Sequence, residues 1–224
     1  MTDGKLPERL AEVRAQVGDA AREAGRDPSS ITTIVVTKFH PASTVRELHS
    51  LGIRDFGESR HQDAAPKIDE LRDLGATWHF VGQLQSKKAR AVRDYVSVIH
   101  SVDRPSLVSA LETGPTRGIF LQVNLTTDPN RGGAHPSEIA ALADLAADAA
   151  GIELLGLMTV APLDDEPRRA FETMRMLSQR LRESFPAASA LSMGMSGDYR
   201  EAILEGATHL RIGTAITGIR DNPG

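Results

Sequence analysis

The stretch Ile31-Thr-Thr-Ile-Val-Val-Thr-Lys-Phe-His40 decides the fold class of this chain. All residues from Ile31 to Thr37 are β-branched, which is the composition of a strand buried on both faces. Pro41 cannot donate a hydrogen bond to a sheet, so the strand is expected to end at about Lys38. A strand of this kind predicts a parallel sheet with both of its faces covered.

The remainder of the chain repeats one unit, a short apolar strand followed by a helical segment. Eight such strands close a (β/α)8 barrel, or TIM barrel, and 224 residues lie near the lower end of its usual size. An open, doubly wound sheet is the alternative, but the chain lacks the glycine-rich dinucleotide motif and the Walker loop. We predict one α/β domain over residues 1–224, with an extra N-terminal helix over about 6–24 and the barrel over about 31–220. The strands are expected over about residues 31–38, 55–59, 77–82, 97–102, 118–124, 152–160, 190–195 and 209–213.

Composition excludes several classes of function. The net charge is −4 and no block of like charge occurs, so neither nucleic acid nor an anionic membrane is an expected partner. The chain has no cysteine, which excludes disulfides, thiolate metal sites and cysteine nucleophiles. Its seven histidines form no metal-binding motif, and we expect no metal. The N-terminus lacks the apolar core of a signal peptide and no apolar run reaches about 20 residues, so a cytoplasmic protein is expected.

Lys38 is the first candidate for chemistry. A lysine at the end of a stiff, buried strand is expected to be partly shielded from water, and shielding makes its proton easier to lose. These are the requirements for an amine that forms a Schiff base with a carbonyl compound. The alternative is a lysine whose side chain simply extends from the strand end into solvent.

The loops after strands seven and eight are the second candidate, because this is where TIM barrels favour phosphate. Ser196 and Gly197 follow strand seven, and Gly213 and Thr214 follow strand eight. Small residues, hydroxyl groups and backbone N–H groups at a helix start suit a phosphate dianion, although turn and cap residues have the same composition. By strand alternation Arg211 faces the same side as Gly213, where a ligand or an internal carboxylate would be its partner.

A lysine and a phosphate cradle at one barrel mouth predict a phosphorylated carbonyl ligand. Pyridoxal 5′-phosphate (PLP) and a phosphosugar aldehyde both fit, and these residues alone do not choose between them. The chain also resembles the pyridoxal phosphate homeostasis protein family, which is related to the N-terminal barrel of alanine racemase. The segments that carry the resemblance are Val35-Val-Thr-Lys38, Phe56-Gly-Glu-Ser-Arg60, Trp78-His-Phe-Val-Gly-Gln-Leu-Gln-Ser-Lys-Lys88, Gly156-Leu-Met158, Leu191-Ser-Met-Gly-Met-Ser-Gly-Asp198 and Arg211-Ile-Gly-Thr-Ala-Ile216.

The resemblance implies a PLP barrel of fold type III in which Lys38 holds PLP as a Schiff base. It implies that the phosphate is bound at the four loop residues named above, and that Arg211 lies near the pyridine nitrogen. A cation there disfavours protonation of the ring and weakens the ring as an electron sink. The implied set of cofactor-binding residues also includes Ser59, His79 and Met158. The apolar setting of His79 nevertheless favours a hydrogen-bonded histidine of the core over a catalytic one.

Four positions depart from the pattern of the family. Ser59 stands where the family usually has Asn, Lys87 replaces an Asn, Arg131 replaces a Lys, and Thr217 replaces a Phe. None of them is expected to touch Lys38 or the phosphate loops. Two further features are left open. Glu58 is either a structural ion pair or part of the ligand shell, and the basic helix with Lys87, Lys88, Arg90 and Arg93 is either a solvated face or an anion-attracting surface.

The function that the resemblance implies is PLP homeostasis, that is storage, buffering or delivery of the cofactor to apo PLP-dependent enzymes, without turnover of amino acids. A PLP-dependent racemase or decarboxylase is the alternative. Such enzymes use a second β-domain that supplies a tyrosine, and we expect no such domain here because the chain ends shortly after strand eight. A Schiff-base aldolase without PLP is a third interpretation. We expect a monomer, with a dimer as the alternative.

Overall fold

A computed structural model of the chain describes residues 6–128, 131–162 and 165–218. Eight parallel strands form a closed barrel in which β1 pairs with both β2 and β8. The strands are β1 (Thr32–Val36), β2 (Asp55–Glu58), β3 (Thr77–Phe80), β4 (Val98–Val102), β5 (Arg117–Gln122), β6 (Ile152–Met158), β7 (Ala190–Ser192) and β8 (His209–Ile212). The α-helices are α1 (Leu6–Glu23), α2 (Ala42–Ser50), α3 (His61–Glu70), α4 (Ser86–Arg93), α5 (Pro105–Leu111), α6 (Ile139–Asp148), α7 (Pro167–Ser184), α8 (Tyr199–Leu204) and α9 (Thr214–Thr217).

The predicted TIM barrel is confirmed, and the open sheet is excluded by the pairing of the first strand with the last. Several strands end up to three residues earlier than the sequence predicts, most clearly β7, which ends at Ser192. The reason there is local, because Gly194 adopts a φ of 92° that takes the chain out of the strand. The expected end of the barrel at about residue 220 lies outside the described residues.

The strands have two buried faces with different surroundings. Outward residues such as Val35 and Phe56 belong to the apolar core that the strands share with the helices. Ile34, Phe120 and Met158 are equally buried but lie outside that core, because they face the interior of the barrel. The register pairs Ile34 with the neighbouring Arg211, so alternation directs Arg211 into the same interior.

Helix α1 precedes the barrel, as predicted, and packs against α8 and α9, the last two helices of the described chain. Its apolar residues are spaced three and four apart and are buried, which is why this segment forms a helix with one face on the barrel. Leu10 and Val13 also line a cavity of about 430 Å³ with Thr33 and Asp55, which lie at the start of the strands. Within the described ranges, no helix is long and apolar enough to cross a membrane, and no cluster of side chains could hold a metal ion.

Candidate functional site

A cleft of about 390 Å³ lies at the carboxyl ends of the strands. It brings together seven of the nine residues that the sequence assigns to the cofactor: Lys38, Ser59, Ser196, Gly197, Arg211, Gly213 and Thr214. The cleft is completed by four residues that the sequence analysis does not assign to the site: Val36, Val81, Val160 and Met195. Val36, Val81 and Val160 each lie two residues from a predicted inward position, so strand alternation is the signal that could have found them.

Lys38 lines this cleft, but its surroundings differ from the prediction. Strand β1 ends at Val36, and Lys38 lies in the following turn. Its side chain is exposed, as the alternative of a lysine that extends into solvent predicts, and is not partly shielded. The chain turns because Phe39 has a φ of 67°, the only positive φ of a non-glycine residue within the described ranges. The free amine is therefore accessible from solvent.

The residue before Lys38 is held from three sides. Thr37 donates its N–H to Gly57 O (3.0 Å) and its hydroxyl to Glu58 Oε1 (2.8 Å). Lys67 Nζ donates both to Thr37 O (2.9 Å) and to Glu58 Oε1 (2.7 Å). Glu58 is fully buried on the outer side of the sheet, between the barrel and α3. Glu58 is therefore a structural ion pair that fixes the base of the lysine turn, and not part of the ligand shell.

The two predicted phosphate loops present free donors. Within the described parts of the chain, the N–H groups of Ser196, Gly197, Gly213 and Thr214 donate to no protein acceptor. The loops are joined to each other, since Ala215 N donates to Ser196 Oγ (3.2 Å). Unpaired N–H groups that converge on one cleft form an anion-binding concavity.

Gly197 leaves open space in this cradle. A Cβ built on Gly197 would meet no atom within 4 Å, and its φ lies outside the left-handed region. A Cβ on Gly213 would meet only Val36 O and Val36 Cβ, at 3.6 and 3.7 Å, which is ordinary contact. The protein's own packing therefore does not require glycine at residue 197, which lines the cleft and also a neighbouring cavity with Gln16 and Tyr199.

Arg211 forms the floor of the cleft. Its side chain is buried, and it donates to Ser192 Oγ (2.7 Å) and to Thr159 O (2.8 Å). Burial lowers the pKa of Arg211 to about 10, and the charge of Asp198 opposes this shift. The sequence analysis considers a ligand or an internal carboxylate as the partner of Arg211. Within the described residues, no carboxylate is hydrogen-bonded to its guanidinium.

His79 and Met158 are placed elsewhere than the cleft. Both are buried in the barrel, and His79 bonds to His100 and Asp55 on either side of its ring. This is the arrangement of a hydrogen-bonded core histidine, the interpretation that the apolar setting of His79 favours. Met158 ends β6 and pairs with Ser192 of β7, two residues below Val160, which does line the cleft.

Two departures from the family pattern act closer to the site than predicted. Thr217 Oγ1 donates to Gly213 O (3.1 Å), so the expectation that it does not touch a phosphate loop is wrong. Arg131 donates to Val160 O (3.1 Å) and Ala161 O (2.6 Å) and so fixes the chain beside the cleft.

The basic helix α4 is not uniformly solvated. Lys87 and Arg90 are exposed, in agreement with a solvated face. Arg93 is fully buried instead and donates to the carbonyl oxygens of Gly114, Pro115 and Gly151 and of Leu111. It ties the C-terminal end of α4 to neighbouring loops, and sequence spacing could not show this because these acceptors lie 18 to 58 residues away.

The sequence and the structure of this chain are similar to those of several other proteins. The profile of the family described as "alanine racemase, N-terminal domain" matches residues 10–221. The pyridoxal phosphate homeostasis protein of Pseudomonas aeruginosa is 38% identical over 221 residues, which cover 96% of each chain. The structure of PipY from Synechococcus elongatus with PLP bound is 37% identical, with a TM-score of 0.82, and the match covers 95% of this chain and all of that one.

A more distant structure shows the fold alone. Alanine racemase of Corynebacterium glutamicum is 16% identical, with a TM-score of 0.71, and the match covers 96% of this chain and 63% of the racemase. The closed barrel and the sequence match over nearly the whole chain both indicate the same family. The chain belongs to the family of the alanine racemase N-terminal domain, together with the pyridoxal phosphate homeostasis proteins.

Proposed function

We propose that this protein binds PLP and acts in its homeostasis, holding the cofactor covalently through Lys38. The observation that carries the proposal is the convergence of one amine and four free N–H groups on a single cleft. The relatives support the same ligand, since PipY has been solved with PLP and the curated relative is named for PLP homeostasis.

The residues of the cleft fit the chemistry of the cofactor. The free N–H groups at Ser196, Gly197, Gly213 and Thr214 would hold the phosphate, and the open space at Gly197 would admit its oxygens. Lys38 supplies the amine for a Schiff base with the aldehyde. Arg211 would donate a hydrogen bond to the ring nitrogen, because a buried guanidinium without a bonded carboxylate suits a neutral acceptor.

The same arrangement favours holding the cofactor over turning over amino acids. When bound, PLP supplies an electron-withdrawing ring that is strongest as an electron sink when its nitrogen is protonated. Arg211 has donors and no acceptor, so it would oppose that protonation. Because the side chain of Lys38 is exposed, a second protein or a competing amine could reach the bond between Lys38 and the cofactor. We propose a carrier that stores or delivers PLP, and not a racemase or decarboxylase.

The decisive experiment uses purified wild-type protein, Lys38→Ala and the matched control Lys87→Ala, which removes an exposed lysine on α4. Each is mixed with PLP, and the visible spectrum is recorded before and after reduction with borohydride, followed by peptide mass spectrometry. We expect a reducible yellow species in wild type and in Lys87→Ala, with the reduced adduct on Lys38. Incubation of loaded wild type with a panel of D- and L-amino acids should give no racemised or decarboxylated product.

Three outcomes would contradict the proposal. If the wild-type protein stays colourless with PLP, the cleft does not bind PLP as a Schiff base, and a phosphosugar becomes the preferred ligand. An equal adduct in Lys38→Ala would remove Lys38 from the role of the bonding amine. Turnover of any amino acid at a rate that Lys38→Ala abolishes would establish an enzyme in place of a carrier.

A further inference from the structure

The interior of the barrel contains a hydrogen-bonded chain of side chains that ends at Arg211. Arg211 Nη1 lies 2.7 Å from Ser192 Oγ, and Ser192 Oγ lies 2.8 Å from His100 Nδ1. His100 Nε2 lies 3.0 Å from His79 Nδ1, and His79 Nε2 lies 3.0 Å from Asp55 Oδ1. Five side chains from five different strands are thus joined in one line.

The line connects the two ends of the barrel. Arg211 lines the cleft at the carboxyl ends of the strands. Asp55 is the first residue of β2, lines the cavity under α1 and has a side chain that is 30% exposed. The three residues between these ends, Ser192, His100 and His79, are buried.

When both histidine rings are neutral, the identities of the two ends fix the direction of every hydrogen bond between them. A guanidinium has only donors, so Ser192 Oγ accepts from Arg211 and its own hydrogen is free to point to His100 Nδ1. A carboxylate has only acceptors, so His79 must present Nε2–H to Asp55. His79 Nδ1 then accepts, and His100 donates to it through Nε2–H. Each ring then carries its hydrogen on Nε2. A neutral His100 agrees with its pKa, which burial holds well below the ordinary value.

The reverse direction fails on the same grounds. If His100 donated through Nδ1–H, Ser192 Oγ would receive two donors and His79 would have to donate through Nδ1–H. A neutral His79 would then turn a bare Nε2 towards Asp55 Oδ1, which places two acceptors 3.0 Å apart. Only an additional proton on His79 would repair that contact.

From this geometry we infer that Ser192, His100 and His79 are positioning residues that hold the guanidinium of Arg211 under the cofactor and couple it to Asp55. The inference deepens the proposed function and rests on it for the identity of the ligand. Ser192 fixes Arg211 with a neutral acceptor, so the positive charge is kept for the ligand. Asp198 acts on Arg211 through its charge without a direct hydrogen bond, and Asp55 is the carboxylate that ends the hydrogen-bonded line at the far end of the barrel. A change in the hydrogen bonds of Arg211 when the cofactor binds is therefore expected to change the hydrogen bonds of His79.

The test is ¹⁵N NMR of the histidine side chains in the cofactor-free and PLP-loaded protein. Without cofactor we expect His79 and His100 each in a single Nε2–H form. On loading with PLP, which the visible spectrum of the same sample records, the ring nitrogens of both are expected to shift. In Ser192→Ala the response of His79 should be lost, while the yellow species still forms through Lys38.

The matched control is Thr208→Val, which removes a hydroxyl bonded to His209 (2.8 Å), an interior histidine outside the line, and to Leu191 N (2.9 Å). We expect Thr208→Val to keep the response of His79 to PLP. The inference is overturned if either ring is found as Nδ1–H or as a mixture, and this result needs neither a variant nor the cofactor. It is also overturned if His79 does not respond in a yellow wild-type sample, or responds equally in Ser192→Ala. Absence of the yellow species with correct tautomers would instead count against the proposed function.

Discussion

The substitution Gly197→Ala separates binding of the cofactor from stability of the fold. A methyl group at residue 197 would meet no protein atom within 4 Å, and the backbone there does not need glycine. Replacing glycine by alanine at such a position removes freedom from the unfolded chain, so we expect the free energy of unfolding to stay equal or to rise by about 0.4–1 kcal/mol. The fold itself should be unaffected.

Gly197 lines the cleft, so a methyl group at this residue would lie beside the free N–H groups of the cradle. If it displaces the phosphate from one charge-assisted hydrogen bond, the loss is about 1.5–3 kcal/mol. This corresponds to a dissociation constant for PLP that is roughly 10- to 150-fold higher. Pyridoxal, which has the aldehyde but no phosphate, should bind wild type and Gly197→Ala with the same affinity.

The assay is a spectroscopic titration with PLP and with pyridoxal, together with urea unfolding of the cofactor-free proteins. The matched control is Gly18→Ala, the same chemical change on α1, where a Cβ would meet only the flexible end of Arg22 at 3.4 Å or more. Affinity of Gly197→Ala for PLP within twofold of wild type would refute the phosphate cradle. So would an equal loss with pyridoxal, or an equal loss in Gly18→Ala.

Two further predictions concern the buried groups around the site. Lys67→Met leaves the fully buried Glu58 without its cation, so the free energy of unfolding in urea should fall by about 3–5 kcal/mol. The double variant Lys67→Met with Glu58→Met should regain most of that stability, and equal stability of Lys67→Met and wild type would contradict the ion pair. Burial, with smaller effects from His79 and Arg211, lowers the pKa of His209 to about 4, so unfolding takes up a proton below the ordinary value of 6.5. Wild type should therefore lose up to about 3 kcal/mol more stability than His209→Gln between pH 6.5 and pH 4 in urea unfolding, and parallel pH profiles would contradict this.

The sequence predicts the barrel and most of the cleft because the relevant signals are local. The β-branched run from Ile31 marks a buried strand, and the repeat of strand and helix gives the parallel order. Alternation with a period of two residues then tells which side chains share a face, and it places Arg211 with Gly213 correctly. Small residues after strands seven and eight mark the loops whose N–H groups are free in the structure.

Local conformation limits what the sequence shows about Lys38. The strand ends two residues before it, and Phe39 takes a positive φ that bulky residues rarely adopt. No residue type in this segment predicts such a turn, so the sequence does not decide between a partly shielded and an exposed amine. Glycine at residue 39 would have been a signal.

The tertiary structure alone decides the long-range partners. His79 and His100 are 21 residues apart in the chain, and His100 and Ser192 are 92 apart, yet each pair is in hydrogen-bond contact. The contact exists because the barrel closes, which brings inward residues of distant strands to one level of its interior. By itself the sequence determines which side chains point inward, since that depends on a two-residue period. Which of them meet depends on strand register and closure, which the whole chain decides.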